Sequence, residues 1–253
     1  MGLAHRVIPV LLTRHGHLVK GKQFNSDRIV GNAQQAAEIY QTRSVDELIV
    51  LDVAATPEQR GPDFLAMLRL TEVCFMPVTV GGGVTSVEDV RRLLAGGADK
   101  VVIGTAALKS PYLIKQCAEK FGSQAVTVAL DVVRSKQCNS WVMTTRCGAI
   151  RWSIKAVDFA DAAAELGAGE LIVTNVDRDG TMRGYDLALI EEISHAVSIP
   201  VIANGGAGSY AHMHQALKAG ASAVAAGAMF QWTDLTPHGA SEYLAKKGWE
   251  MRL

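Results

Sequence analysis

Short runs of β-branched and other apolar residues alternate along this chain with amphipathic stretches of about 10–14 residues, the pattern of repeated strand–helix units. The apolar runs predict strands at about 6–12, 47–53, 77–81, 100–104, 125–131, 170–175, 200–204 and 222–227. The amphipathic stretches predict helices at about 31–43, 61–73, 86–96, 110–121, 155–167, 186–197, 209–219 and 239–247. Punctuation supports these boundaries: Thr85-x-x-Glu88 reads as a capping box, Gly96-Gly97 closes the third helix, and Gly220 closes the seventh. Eight strands and eight helices in strict alternation, within 253 residues, predict one (β/α)8 TIM barrel, a single domain over 1–253. Residues 132–149 exceed what a strand–helix loop needs. Within them Trp141-Val142-Met143-Thr144-Thr145 alternates like a strand, which predicts a β-hairpin inserted after strand 5.

The chain also repeats itself. Ile49-Val50-Leu51-Asp52 and Ile172-Val173-Thr174-Asn175 are 123 positions apart, as are Pro77-Val78 and Pro200-Val201, Gly82-Gly83 and Gly205-Gly206, Gly97-Ala98 and Gly220-Ala221, and Gly104 and Gly227. The barrel is therefore two half-barrels of four units each. Leu11-Leu12 and Leu130-Asp131 correspond at an offset of 119, so one half ends its first strand in Asp and the other in Leu.

Composition narrows the function classes. Lys plus Arg and Asp plus Glu are each 25, so no net field recruits nucleic acid or an anionic membrane. No apolar run reaches the roughly 18 residues of a membrane span, and the first residues lack a secretory signal, which predicts a cytoplasmic protein. Cys74, Cys117, Cys138 and Cys147 show no C-x-x-C spacing. They read as reduced thiols, with no metal site and no cofactor motif.

Barrel chemistry belongs at the carboxyl ends of the strands. Gly81-Gly82-Gly83 follows strand 3 and Gly104-Thr105 follows strand 4; Gly205-Gly206-Ala207-Gly208 and Ala226-Gly227 follow strands 7 and 8. Loops of bare backbone suit phosphate, although tight turns alone explain many glycines. Two symmetry-related pairs favour phosphate, at both ends of a long, phosphorylated small molecule. Lys20, Asp52, Asp131, Asn175, Asp177 and Asp179 are expected between them, with Asp131 as general acid or base. Asp177-Arg178-Asp179-Gly180-Thr181 reads equally as a substrate loop or a plain Asp-Gly turn. At the opposite end Arg6, Glu47, Lys100 and Glu170 stand at strand starts, either as surface ion pairs or as a ring across the barrel floor.

These motifs, running nearly end to end, resemble the cyclase subunit of imidazole glycerol phosphate synthase, the HisF family. The matching text is Arg6-Val7-Ile8-Pro9, Asp46-Glu47-Leu48, Val80-Gly81-Gly82-Gly83, Gly97-Ala98-Asp99-Lys100, Phe121-Gly122-Ser123-Gln124 and Asp177-Arg178-Asp179-Gly180-Thr181. The resemblance implies a HisH-like glutaminase docked on the floor, near Asp99 and Gln124. It makes Arg6, Glu47, Lys100 and Glu170 an ammonia gate. Lys20, Asp52, Asp131, Thr174, Asp177 and Asp179 match upper-face positions, and Gly180 lies in the same loop. The family's cyclase uses two strand-end aspartates, of which Asp131 matches one and Leu12 replaces the other. Gly104, Gly227 and Asn204 are further departures at the upper face. The pattern resembles divergent HisF-like proteins that pass ammonia to a third, sugar-amidating enzyme. A working cyclase of histidine biosynthesis and a glutaminase-activating scaffold are the alternatives.

Overall fold

The computed structural model describes residues 4–251. Its strands are β1 (Arg6–Arg14), β2 (His17–Lys22), β3 (Asn25–Asn32), β4 (Leu48–Asp52), β5 (Val78–Gly81), β6 (Lys100–Ile103), β7 (Val126–Ser135), β8 (Ser140–Thr145), β9 (Ile150–Lys155), β10 (Glu170–Asn175), β11 (Val201–Asn204) and β12 (Ala223–Ala226). Its helices are α1 (Ala33–Thr42), α2 (Phe64–Thr71), α3 (Val87–Ala95), α4 (Thr105–Lys109), α5 (Tyr112–Phe121), α6 (Ala156–Glu165), α7 (Leu187–Ala196), α8 (Tyr210–Lys218), α9 (Ala228–Trp232) and α10 (Pro237–Lys246).

Strands β1, β4, β5, β6, β7, β10, β11 and β12 pair in parallel in that order, and β12 returns to β1. The sheet is thus a closed (β/α)8 barrel. Closure gives every strand two faces to bury, hence the nearly continuous apolar runs. The outer face packs against the helices in one large core that includes Leu11, Val50, Ile103, Leu130 and Val173. The inner face forms a second cluster built from Ile8, Val10, Ile49, Val102, Ile172, Ile202, Ala223 and Ala225. Each fully buried aliphatic side chain contributes roughly 1.5–3 kcal/mol of transfer free energy. No helix among the described residues is long and apolar enough to cross a membrane.

The half-barrel repeat survives in the backbone. Gly82 and Gly83 have φ of 111° and 73°, and their counterparts Gly205 and Gly206 have 79° and 99°. Gly97 and Gly220, at 95° and 98°, end α3 and α8 alike.

Three sequence expectations are corrected. Residues 17–32 contain an antiparallel hairpin, β2 and β3, ahead of the first helix. Asn32 caps α1, its side chain accepting from the Gln35 amide, so the helix starts after it rather than at 31. The capping box of α3 is Ser86 with Asp89, not Thr85 with Glu88: Ser86 Oγ accepts from the Asp89 amide and the Asp89 carboxylate accepts from the Ser86 amide. Gly96 keeps φ at −81° and Gly97 alone takes the left-handed turn. The hairpin expected after the fifth barrel strand is present, with β8 antiparallel to β7 and to β9. Two further short helices, α4 and α9, follow the fourth and eighth barrel strands.

Candidate functional site

Strand alternation arranges the barrel interior as stacked layers, because every second residue points inward. On β1 the inward series is Arg6, Ile8, Val10 and Leu12; on β4 it is Glu47, Ile49 and Leu51. The same parity brings Lys100 and Val102 inward on β6, Thr127, Ala129 and Asp131 on β7, and Glu170, Ile172 and Thr174 on β10. A charged floor, an apolar lumen and a polar mouth therefore lie on one axis.

At the floor, Arg6 bonds to Glu47 through one guanidinium nitrogen and to Glu170 through the other. Lys100 Nζ closes the ring from the opposite side, 3.1 Å from both Glu47 oxygens and 2.8 Å from Glu170 Oε2. Thr79 Oγ donates to Glu47 at 2.7 Å. Glu47 and Glu170 are buried, with 2% and 8% exposure, so these are not surface ion pairs. Burial alone opposes ionisation of Glu47, but Arg6, Lys100 and the Thr79 hydroxyl outweigh it and hold the carboxyl below its ordinary range. Thr127 stands level with Glu170 in the pairing register. Its buried hydroxyl has no hydrogen-bond partner among the described residues. Asp99 and Gln124 lie exposed at this end, where Asp99 Oδ2 accepts from the Val78 amide at 2.8 Å and pins the start of β5.

At the mouth, a cavity of about 620 Å³ reaches down to Val10, Val102 and Ile172. That volume suits a small metabolite. The loop residues Gly82, Gly83, Gly104 and Thr105 line it on one side, and Gly205, Gly206, Ala226 and Gly227 on the other. Leu12, Lys20, Asp52, Asp131, Thr174, Asp179 and Gly180 complete the predicted residues around it. Asp177 is exposed and does not line the cavity; its amide donates to Asn175 Oδ1 at 2.9 Å. Asn175 departs from the expected convergence: it points out of the barrel, and its amide donates to Asp186 at 2.6 Å. Strand parity is the cause, since Thr174 occupies the inward position.

Parity also explains Asp52, the half-barrel counterpart of Asn175. Its carboxylate is engaged by Arg60 at 2.7 and 3.0 Å and by the Ala54 amide at 3.0 Å. Asp52 therefore positions Arg60 at the cavity wall. Nothing in the sequence pattern singled out Arg60, eight residues further on in a loop. Cys147 was likewise missed as a site neighbour. The hairpin turn carries it over β4, where its thiol contacts the Val53 carbonyl oxygen at 3.5 Å. Burial, and then Asp131, push that thiol up to about 11.

Among the described residues no hydrogen-bond donor reaches the Asp131 carboxylate, and burial together with Asp179 raises it to about 7. Lys20 enters from β2 with 5% exposure, its ammonium 3.4 Å from the Val10 carbonyl oxygen. Burial lowers it to about 8, against the pull of Asp179. Asp179 itself is raised by burial, which Lys20 and the Gly180 amide only partly offset. A carboxyl and an amine that both titrate near neutrality can exchange protons with a ligand between them. Leu12, beside Leu51 in the register and packed on the lumen cluster, offers nothing that ionises. A family model described as histidine biosynthesis protein matches residues 6–236.

Proposed function

Because the chain belongs to the histidine biosynthesis protein family, we propose that it is the barrel subunit of a glutamine-dependent amidotransferase, taking ammonia from a HisH-like glutaminase at its floor and conducting it to the mouth. The delivered nitrogen serves an acceptor other than the imidazole precursor, in this proposal a surface sugar amidated with a third enzyme. One observation carries the reading: the charged ring, the apolar lumen and the polar cavity follow one another on the same inward strand face. Ammonia is small and neutral once deprotonated, so an apolar lumen passes it while the ring excludes hydrated ions. Leu12 favours an acceptor without imidazole chemistry. In a two-carboxylate mechanism the missing acid or base costs about 10²–10⁴-fold in rate.

The unpartnered Asp131, raised to about 7, favours a second reading in which the chain is itself a cyclase. Two assays separate the readings. With a HisH-like glutaminase, the chain is expected to raise glutamine hydrolysis, and Lys100→Met to change that stimulation; no association, or stimulation untouched by the substitution, refutes the conduit. Supplied with ammonium and the bisphosphorylated imidazole precursor at alkaline pH, the natural chain is expected to give no imidazole product. Turnover comparable with Leu12→Asp would make it a cyclase.

A further inference from the structure

The two sides of the cavity differ in charge although the backbone beneath them repeats. On the first half-barrel's side the lining contains Arg60, Lys109 and Arg146 against one carboxylate, Asp52. Arg60 is already paired with Asp52. Lys109 and Arg146 form no ion pair among the described residues, and the Cys147 contact with Val53 places the Arg146 turn over this side. Hydroxyls of Thr85, Thr105 and Ser110 add donors there.

On the second half-barrel's side, the loops carry only Gly205, Gly206, Ala207, Ala226, Gly227 and Ala228. Their glycines answer to packing: Cβ atoms at Gly205 and Gly206 would stand 2.9 Å from the Thr174 methyl and 2.5 Å from the Gly184 carbonyl oxygen. The ionic groups on this side are Asp131, Asp179 and Lys20. The Lys20 ammonium fills the space above Gly227, 2.4 Å from where a Cβ would lie. Asn204 donates to the Thr174 hydroxyl at 2.9 Å, leaving its own carbonyl oxygen as an acceptor. A phosphate, carrying about −1.5 to −2 charges, would meet two carboxylates and one ammonium there, but unpaired cations and hydroxyls opposite.

We infer that the cavity takes a ligand with one anionic end, seated by Lys109 and Arg146, and a donor-rich end of hydroxyls or an amine facing Asp131 and Asp179: a monophosphorylated sugar or amino sugar rather than a bisphosphate. This replaces the symmetric, doubly phosphorylated ligand that the repeat alone suggests. It rests on the cavity being where the barrel meets its acceptor, but its test needs no glutaminase, so the two proposals fail separately.

The test is calorimetric titration of the full chain at near-neutral pH with inorganic phosphate, glucosamine 6-phosphate, glucose 6-phosphate and fructose 1,6-bisphosphate. One inorganic phosphate is expected per chain, and glucosamine 6-phosphate is expected to bind about tenfold or more tightly than the bisphosphate. Lys109→Ala with Arg146→Ala should weaken both monophosphates by about tenfold or more, while Asp131→Asn should erase the preference for the amine over the hydroxyl. Two bound phosphates, a bisphosphate that binds as tightly as the monophosphates, or no binding of any probe by a folded chain overturns the inference. Intact stimulation of a glutaminase alongside any of these results would leave the conduit standing.

Discussion

Lys100→Met tests whether the floor ring stabilises the barrel or merely occupies it. The substitution keeps the aliphatic stem and removes the ammonium that contacts Glu47 at 3.1 Å and Glu170 at 2.8 Å. Stripping one partner from a fully buried ion pair costs about 3–5 kcal/mol. Here both carboxylates keep Arg6, and the Lys100 side chain is 18% exposed, so water reaches the gap. The expected loss is therefore smaller, about 1–3 kcal/mol, or about 2–12 °C in melting temperature for a domain of this size. The measurement is denaturant unfolding of the natural chain, Lys100→Met, Glu170→Gln and the double variant. Coupling between the two sites should be about 0.5–2 kcal/mol at neutral pH. Glu47 is held below its ordinary range, so its contribution is complete above the unfolded carboxylate value near 4.3 and lost as pH falls through the lower folded value. The gap between natural chain and variant must accordingly shrink in acid. A Lys100→Met chain as stable as the natural one at neutral pH, with no coupling, would refute the argument.

Three further predictions follow from individual residues. Asp131 is raised to about 7, so the stability linked to its protonated form is full below the unfolded value and lost as pH rises through 7; Asp131→Asn should exceed the natural chain by about 1–3 kcal/mol at pH 8, with the advantage narrowing towards pH 5 in paired urea titrations. Gly82→Ala forces a Cβ to 2.3 Å from the Asp52 carbonyl oxygen at a φ of 111°, whereas Gly61→Ala meets nothing within 4 Å; melting curves should show a loss of about 3 kcal/mol or more for the first and about 0.5 or less for the second. Thr127→Val removes the buried hydroxyl that lacks a partner; the variant should be neutral or about 1 kcal/mol more stable, and a loss of that size would mean the hydroxyl binds something in the lumen.

Whatever follows from alternation and cap chemistry could be read in the sequence. The barrel strands, the half-barrel symmetry and the hairpin after β7 rest on period-two apolar runs and recurrent glycines. The β2–β3 hairpin was hidden because its polar strands turn at Gln23 and Phe24, with φ of 53° and 64°, positions where glycine or asparagine usually signals the bend. The turn is held from outside: the Gln23 amide donates to the Asp179 carbonyl oxygen at 2.9 Å and its side chain to that of Asp177 at 3.0 Å. Gly180, whose Cβ would stand 2.3 Å from the Gly21 carbonyl oxygen, lets the two segments meet. Such long-range contacts leave no local trace. The Arg60–Asp52 pair is invisible for the same reason. Asn175 was misplaced because a strand-end residue one position off the inward series faces the helices instead.

The same parity separates the two ends of the molecule. Arg6 and Leu12 are inward residues of one strand, three inward steps apart, with Ile8 and Val10 between them. Nothing polar on β1 connects them, so the ring at the floor does not depend on the charge at position 12. A carboxylate at 12 would join Asp131 and Asp179 around a single ammonium, Lys20, raising further a carboxyl already at about 7. Leucine avoids that crowding and extends the apolar lumen by one layer. The arrangement preserves a path through the barrel while removing one proton-transfer group at its exit, so changes in the mouth can accumulate without opening the floor.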